Sequence, residues 1–221
     1  MRIYRHWRDV PAQGRGAVVA IGNFDGVHLG HQAVIAEAGR IARATGAPLA
    51  VLTFEPHPRE FFGRTDGPFR LTPFRIKLRE IAALGVDILY LLRFDAKLAA
   101  LAADDFIHSL LVGGLGVSHV VVGYDFAFGQ ARGGNFALLQ QNAEKGGYQV
   151  DQVSVAGSDD GIYSASEART LLSAGDVAGT ARILGRPWEI EGRVQDGEKR
   201  GRQLGFPTAN LTVGGTLHPD H

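Results

Sequence analysis

His28 and His31 stand three residues apart inside the run Ala20-Ile21-Gly22-Asn23-Phe24-Asp25-Gly26-Val27-His28-Leu29-Gly30-His31-Gln32. On a first helical turn that spacing sets both imidazoles on one side, facing whatever occupies the end of the helix. Gly22 and Gly26 let the backbone turn tightly and approach a ligand, and a helix start offers unpaired N–H groups and a partial positive end to an anion. The chemistry implied is the holding of nucleotide phosphates. No Gly-Lys-Ser/Thr follows, so the run is not a P-loop, and the G-x-G-x-x-G spacing of a dinucleotide fingerprint is absent.

The elements that position such a turn read as alternating strands and helices. Ala17 to Ile21 is a short apolar strand. Val34, Ile35, Ala38, Ile41 and Ala42 form one stripe, so a helix runs to about Thr45 and ends near Gly46 and Pro48. The same reasoning predicts a strand over Leu49 to Phe54, a helix over Arg75 to Leu84 and a strand over Val86 to Leu92. A helix over Asp104 to Val112, a strand over Ser118 to Val122, a helix near Asn135 to Lys145 and a strand near Tyr148 to Val155 continue the pattern. Repeated βαβ units give an α/β, Rossmann-like doubly wound parallel sheet, with ligands at the carboxyl ends of its strands. The loops expected on that rim are the opening turn, Phe54-Glu55-Pro56-His57-Pro58, Phe94-Asp95 and Gly123-Tyr124-Asp125-Phe126-Ala127-Phe128-Gly129.

Several residues on the rim allow two readings. His57, between two prolines, is held on a rigid loop and either faces a ligand or is merely solvated. Phe126 and Phe128 either pack on an aromatic ligand or plug the core beneath their loop. Asp25 either faces a magnesium ion or serves turn chemistry. Ser164 with Glu167 three residues on forms a capping box at the start of a helix that carries Arg169, and a guanidinium there bridges two phosphate oxygens well.

Composition bounds the rest. The 221 residues hold one ordinary domain and a fragment of a second, with a formal net charge of zero that gives no general attraction to nucleic acid or anionic membrane. Absence of cysteine excludes disulfides, thiolate metal sites and a cysteine nucleophile. Neither a signal-peptide core near Met1 to Arg8 nor an apolar run of membrane-spanning length occurs, so a soluble, cytoplasmic protein is expected. Beyond Ala181 the character changes to a period-two strand over Glu189 to Val194 and a Gly-rich charged turn.

Gly22-Asn23-Phe24-Asp25-Gly26 followed by His28-Leu29-Gly30-His31 resembles the G-x-F-D-G-x-H-x-G-H signature of prokaryotic FAD synthetases, the flavin branch of the H-x-G-H nucleotidyltransferases. The resemblance extends in order over Leu71-Thr72-Pro73, Phe94 to Phe106 and the Gly123 loop. It implies transfer of AMP from ATP to FMN, with FAD and pyrophosphate as products. It implies catalytic roles for His28, His31, Ser164 and Arg169, and ATP contacts from Gly22, Asn23, Phe24, Asp25, Gly26, Gly30, Gly123, Asp125 and Ser166. Flavin contacts are implied for Phe54, His57, Phe62 and Phe128, and Mg²⁺ is expected to bridge phosphates with few protein ligands. The family's Ser-Ser-Thr-x-x-Arg clamp here reads Ser164-Ala165-Ser166-Glu167-Ala168-Arg169, one hydroxyl short.

Gly201 to Asn210 resembles the start of the riboflavin kinase barrel, whose Pro-Thr-Ala-Asn loop implies Mg²⁺ and ATP contacts at Thr208 and Asn210. Expected domains are therefore an adenylyltransferase over 1–183 and an incomplete β-barrel fragment over 184–221, without kinase activity and poorly ordered from about Gly197. Two competing readings are another H-x-G-H nucleotidyltransferase and a fragment that binds nucleotide or flavin without turnover.

Overall fold

In a computed structural model, residues 1–65, 67–158, 161–195, 205, 210–212 and 214–219 are described. Strands β1 (Arg2–Tyr4), β2 (Val18–Ile21), β3 (Leu49–Glu55) and β4 (Ile88–Arg93) belong to one sheet, linked by helices α1 (Leu29–Thr45), α2 (Pro58–Phe61) and α3 (Phe74–Ala83). After short helices α4 (Ala96–Ala99) and α5 (Ala103–Asp105) comes a π-helix, Phe106–Leu115, and then β5 (His119–Gly123). The small pair β6 (Ala127–Phe128) and β7 (Gly134–Asn135) precedes α6 (Phe136–Gly146) and β8 (Gln149–Val153). A hairpin of β9 (Gly157–Ser158) and β10 (Gly161–Ile162) leads to α7 (Ala165–Ser173), α8 (Val177–Leu184), β11 (Arg193–Gln195) and β12 (Asn210–Thr212).

The six-stranded sheet has the order β1-β4-β3-β2-β5-β8 and is parallel throughout. From β2 the chain steps outward through β3 to β4, then crosses back to place β5 on the other side of β2. The carboxyl ends of β2 and β5 therefore flank the point where the winding reverses, which is where open α/β sheets bind ligands. All four residues of β2 are buried because both faces are covered. Val18 and Ala20 pack with Val34, Ile35 and Ala38 of α1, whereas Val19 and Ile21 pack with the π-helix residues Ile107, Leu110 and Leu111. A third cluster under α7 and α8 joins Leu71, Ala168, Leu172 and Ile183.

Most of the predicted elements appear within a residue or two of their expected bounds. Helix α1 ends at Gly46 in the left-handed region, φ 71°, where only glycine sits without strain. Three differences stand out. Strand β1 joins the sheet edge beside β4, too short for a periodicity to reveal it. The helix expected over Asp104 to Val112 is mostly π-helix, closed by Arg15, whose guanidinium donates to Gly113 O and Gly114 O. Of the expected incomplete β-barrel, the described residues show one antiparallel pair, β11 with β12. The expected loss of order from Gly197 falls mostly on residues outside those described; of the rest, 210–212 pair with β11, and Gly215 and Leu217 hydrogen-bond to Phe69 and Arg70.

Candidate functional site

The turn after β2 starts where the ladder stops: Gly22 N donates to Leu52 O at 3.1 Å, and then the backbone leaves the sheet. Phe24, Gly26 and Val27 take φ of 50°, 80° and 43°. For a phenylalanine and a β-branched valine this left-handed region costs about 1–2 kcal/mol each, so the turn persists only because its surroundings over-determine it. Five clamps do so. Thr53 Oγ1 and Lys77 Nζ donate to Asn23 O at 3.1 and 3.4 Å, and Gly26 N donates to Thr72 Oγ1 at 3.2 Å. Gln32 Nε2 donates to Val27 O and Arg186 Nη1 to Gly26 O, both at 2.9 Å.

Asp25 lies at the centre, 4 % exposed. Its carboxylate accepts from Leu71 N at 3.1 Å, from Thr72 N at 3.3 Å and from Arg169 Nη2 at 2.6 Å. Arg169 also donates through Nε to Phe69 O at 2.9 Å and lies 4.8 Å over the Phe69 ring. His57 meets the same Phe69 ring edge-on, with centroids 4.8 Å apart. The carboxylate thus ties the opening turn to the Phe69–Thr72 strap and to α7. Residues 46 and 144 positions away in sequence meet on it.

His28 is the N-cap of α1 rather than a residue of its first turn: Nδ1 accepts from His31 N at 3.3 Å. The rings of His28 and His31 stack at 3.6 Å, with the Phe24 ring 5.1 Å from His31. Burial is the main cause that lowers the His28 pKa to about 4, with Asp25 opposing and Arg169 assisting. Burial, then the His28 ring and Lys77, hold His31 well below the ordinary histidine range. Both imidazoles are therefore neutral at pH 7. With Nδ1 occupied as an acceptor, the proton of neutral His28 resides on Nε2, which makes that atom a hydrogen-bond donor. Among the described residues no acceptor holds the peptide N–H groups of Leu29 and Gly30, the first two of the helix. Neutral donors and a helix start together suit an anion.

The second histidine-bearing loop behaves likewise. His57 caps α2, Nδ1 accepting from Arg59 N at 3.1 Å, and burial lowers its pKa to about 4. Ser164 caps α7, accepting from Glu167 N at 3.1 Å, which is the backbone half of the expected capping box. Ser166 is exposed, and Ala165 packs on the cluster around Leu71. Gly123 and Asp125 stand at the carboxyl end of β5 across the switch point, Asp125 exposed.

Several expected roles change. Phe24 is 1 % exposed and packs in the core cluster beneath the turn, which it supports from below. Phe128, 6 % exposed, packs on Phe106 and Phe126, the core plug of the two readings. A Cβ on Gly30 would stand 2.7 Å from Tyr163 O, so the missing side chain admits the segment leading to Ser164, while the Gly30 N–H is held by no acceptor among the described residues. Asp25 is occupied by backbone donors and Arg169, as the turn-chemistry reading expects. Among the described residues no three His, Asp or Glu gather as a metal cage. The His57 ring is 6 % exposed and packed on Phe69, so it is not the solvated ring of the two readings. Phe54 and Phe62 do meet, through Phe94, at 5.9 and 5.8 Å, with Phe61 beside them at 5.3 Å; Phe61 and Phe62 are 38 % and 52 % exposed. Asn210 lies in β12 opposite Gln195, and Thr208 is outside the described residues.

Sequence reasoning missed Lys77. It is 3 % exposed and pairs with Glu55 at 2.5 Å, and Glu55 in turn meets Arg70 at 2.8 Å. A lysine in register with Phe74 and Ile81 on the apolar face of a helix was the available signal.

Residues 10–167 match the family described as FAD synthetase, and residues 184–221 match riboflavin kinase. The bifunctional riboflavin kinase/FMN adenylyltransferase of Pseudomonas fluorescens is 42 % identical over 213 residues, spanning 96 % of this chain and 68 % of that protein. This chain belongs to the bifunctional riboflavin kinase/FMN adenylyltransferase family. The relative of that name from Escherichia coli K12 is 40 % identical over 208 residues, 94 % of this chain and 66 % of its own length. The chain therefore spans about two thirds of the length of these relatives and carries the family's FMN adenylyltransferase domain, with the riboflavin kinase match confined to 184–221. A crystal structure named a macrolide-efflux protein from Streptococcus pneumoniae superposes with a TM-score of 0.84 at 28 % identity, over 98 % of this chain and 70 % of that one. Among the described residues here, no helix is long and apolar enough to cross a membrane.

Proposed function

We propose that the chain transfers AMP from ATP to FMN, releasing pyrophosphate and forming FAD. The observation that carries the reading is the stacked, neutral pair at the start of α1, His28 buried as its cap and His31 half-buried in its first turn, at the switch point of the sheet and within the influence of the Asp25–Arg169 pair. The reaction needs no protein nucleophile: the FMN phosphate attacks the α-phosphorus in line, and the enzyme supplies position and complementary charge. In this reading His28 Nε2–H and the first N–H groups of α1 donate to the triphosphate as charge moves onto the leaving pyrophosphate. Arg169, with a guanidinium N–H beyond its two bonds, meets the departing phosphates from the side of α7. The exposed Phe61–Phe62–Phe94 shelf offers an apolar face for the isoalloxazine, with Phe54 beneath it. The substrate is taken as the magnesium complex of ATP, the metal carried on the phosphates, since Asp25 has no free oxygen lone-pair direction to spare. Phosphorylation of riboflavin is not proposed for these 221 residues, in which the kinase match covers 184–221 and the described part of it shows a single strand pair.

Incubation with FMN, ATP and Mg²⁺ should yield FAD and pyrophosphate in equal amounts. Binding without FAD would refute the reading in favour of a non-catalytic fragment. His28→Ala should lower kcat by roughly 10²–10³-fold, the size expected for removing one preorganised donor from a developing negative charge. An unchanged kcat would remove His28 from the mechanism.

A further inference from the structure

The opening turn is held from an unexpected quarter. Of its five clamps, one comes from Arg186, inside the segment that matches riboflavin kinase, and Gln32 joins Val27 O to Leu184 O at the start of the same segment. Arg186 is 15 % exposed at its side chain; its Nε forms an ion pair with Glu80 Oε2 of α3 at 3.1 Å, a charge contact without hydrogen-bond geometry, while Nη1 donates to Gly26 O. Two neighbours fix its approach. A Cβ on Gly185 would collide with Leu29 at 2.6 Å, so the glycine lets the segment lie against the first residue of α1. Trp188 Nε1 donates to Leu71 O at 3.1 Å, on the same residue whose N–H is held by Asp25.

We propose that Arg186 is a positioning residue for adenylyl transfer, acting through the Gly26 carbonyl, so that the segment attached to the kinase module sets the geometry of the phosphate site. The inference rests on the adenylyltransferase reading above. Gly26 and Val27 are the two left-handed residues just before His28, and the peptide between them carries the carbonyl that Arg186 holds. Without that donor the strained peptide is free to rotate, and His28 on one side and Asp25 on the other move with it. The Phe61–Phe62–Phe94 shelf hangs from different loops and is untouched. The loss should therefore appear in kcat, with the KM for FMN unchanged, because a displacement of reacting groups by an ångström is enough to cost about tenfold to a hundredfold in rate.

The test uses the full chain and compares Arg186→Ala, Arg186→Lys and Arg182→Ala, the last an exposed arginine on α8 with no contact to the turn. Arg186→Ala should lower kcat at least about tenfold with KM for FMN within about twofold. Arg186→Lys, which keeps a donor and a charge, should recover a large part of it, and Arg182→Ala should match the unmodified chain. If the unmodified chain forms FAD and Arg186→Ala turns over within about twofold of it, or if Arg182→Ala falls equally, the positioning role is wrong. If the unmodified chain forms no FAD, the functional reading has failed instead. Should Arg186→Ala not fold, Gln32→Met, which cuts the tie between Val27 and Leu184, is read by the same kcat-against-KM criterion.

Discussion

The turn after β2 and the aromatic shelf beyond β3 and β4 share one rim of the sheet and are built on opposite principles. In the turn, polar groups are buried and committed before any ligand arrives: Asp25 is 4 % exposed with every donor in place, and His28 is 7 % exposed. On the shelf, Phe62 is 52 % exposed and its contacts are edge-to-face aromatic pairs. The first is a preorganised electrostatic device, in which reorganisation has been settled during folding. The second is an apolar surface that waits for a partner. Charge must be met by fixed dipoles, whereas a flat ring needs only area.

The contrast can be broken at its strongest point. Asp25→Asn keeps an acceptor for Leu71 but leaves the Arg169 guanidinium half-buried without its counter-charge, and should lower stability by about 3 kcal/mol, measured by urea unfolding. A loss below about 0.5 kcal/mol would mean that the pair is a surface-like contact of little weight. Gly30→Ala should be next: the added methyl must displace Tyr163 O, so about 1–3 kcal/mol of stability is lost and kcat falls as Ser164 and Arg169 shift with that strand of chain. On the shelf, Phe62→Ala should leave stability within about 0.5 kcal/mol, as surface changes do, and raise the KM for FMN several-fold. Equal damage to stability would show that the shelf is core and not a waiting surface.

A smaller and graded test comes from the histidines. His28 and His57 have folded pKa values of about 4 against an ordinary value of 6.5. Between these limits the unfolded chain binds protons that the folded one refuses, so stability should fall as the pH is lowered from about 6.5 to 4, by up to about 1.4 kcal/mol per pH unit for each histidine. Above 6.5 these groups contribute no pH dependence. Urea midpoints at pH 7.5, 6 and 5 read this directly, and a flat series would contradict their burial.

Much of this was legible without coordinates. The βαβ alternation follows from apolar runs buried on both faces, and the rim loops follow from the direction of a parallel sheet. The His28–His31 pair and Ser164 as a helix cap rest on spacing alone, and the structure shows both. Spacing was less informative for side-chain direction. Phe24 and Phe128 belong to the motif-bearing loops but point into the core, because a loop that turns left-handed or closes a small strand pair inverts the face a residue presents. Gly30 reads as room for a phosphate from one strand of sequence; only the arrival of Tyr163 shows what fills it.

What the sequence determined by itself is local: a strand, a glycine turn and a helix whose cap and third residue are histidines. Those depend on propensities and spacings of a few residues. What only the tertiary structure decided is the electrostatic state of those histidines and the company of Asp25. Neutral imidazoles require burial, with the charges of Lys77 and Arg169 assisting, and the carboxylate cage requires Leu71, Thr72 and Arg169 to converge across more than a hundred residues. Desolvation and long-range hydrogen bonding are properties of the folded packing, which no stretch of the chain carries alone.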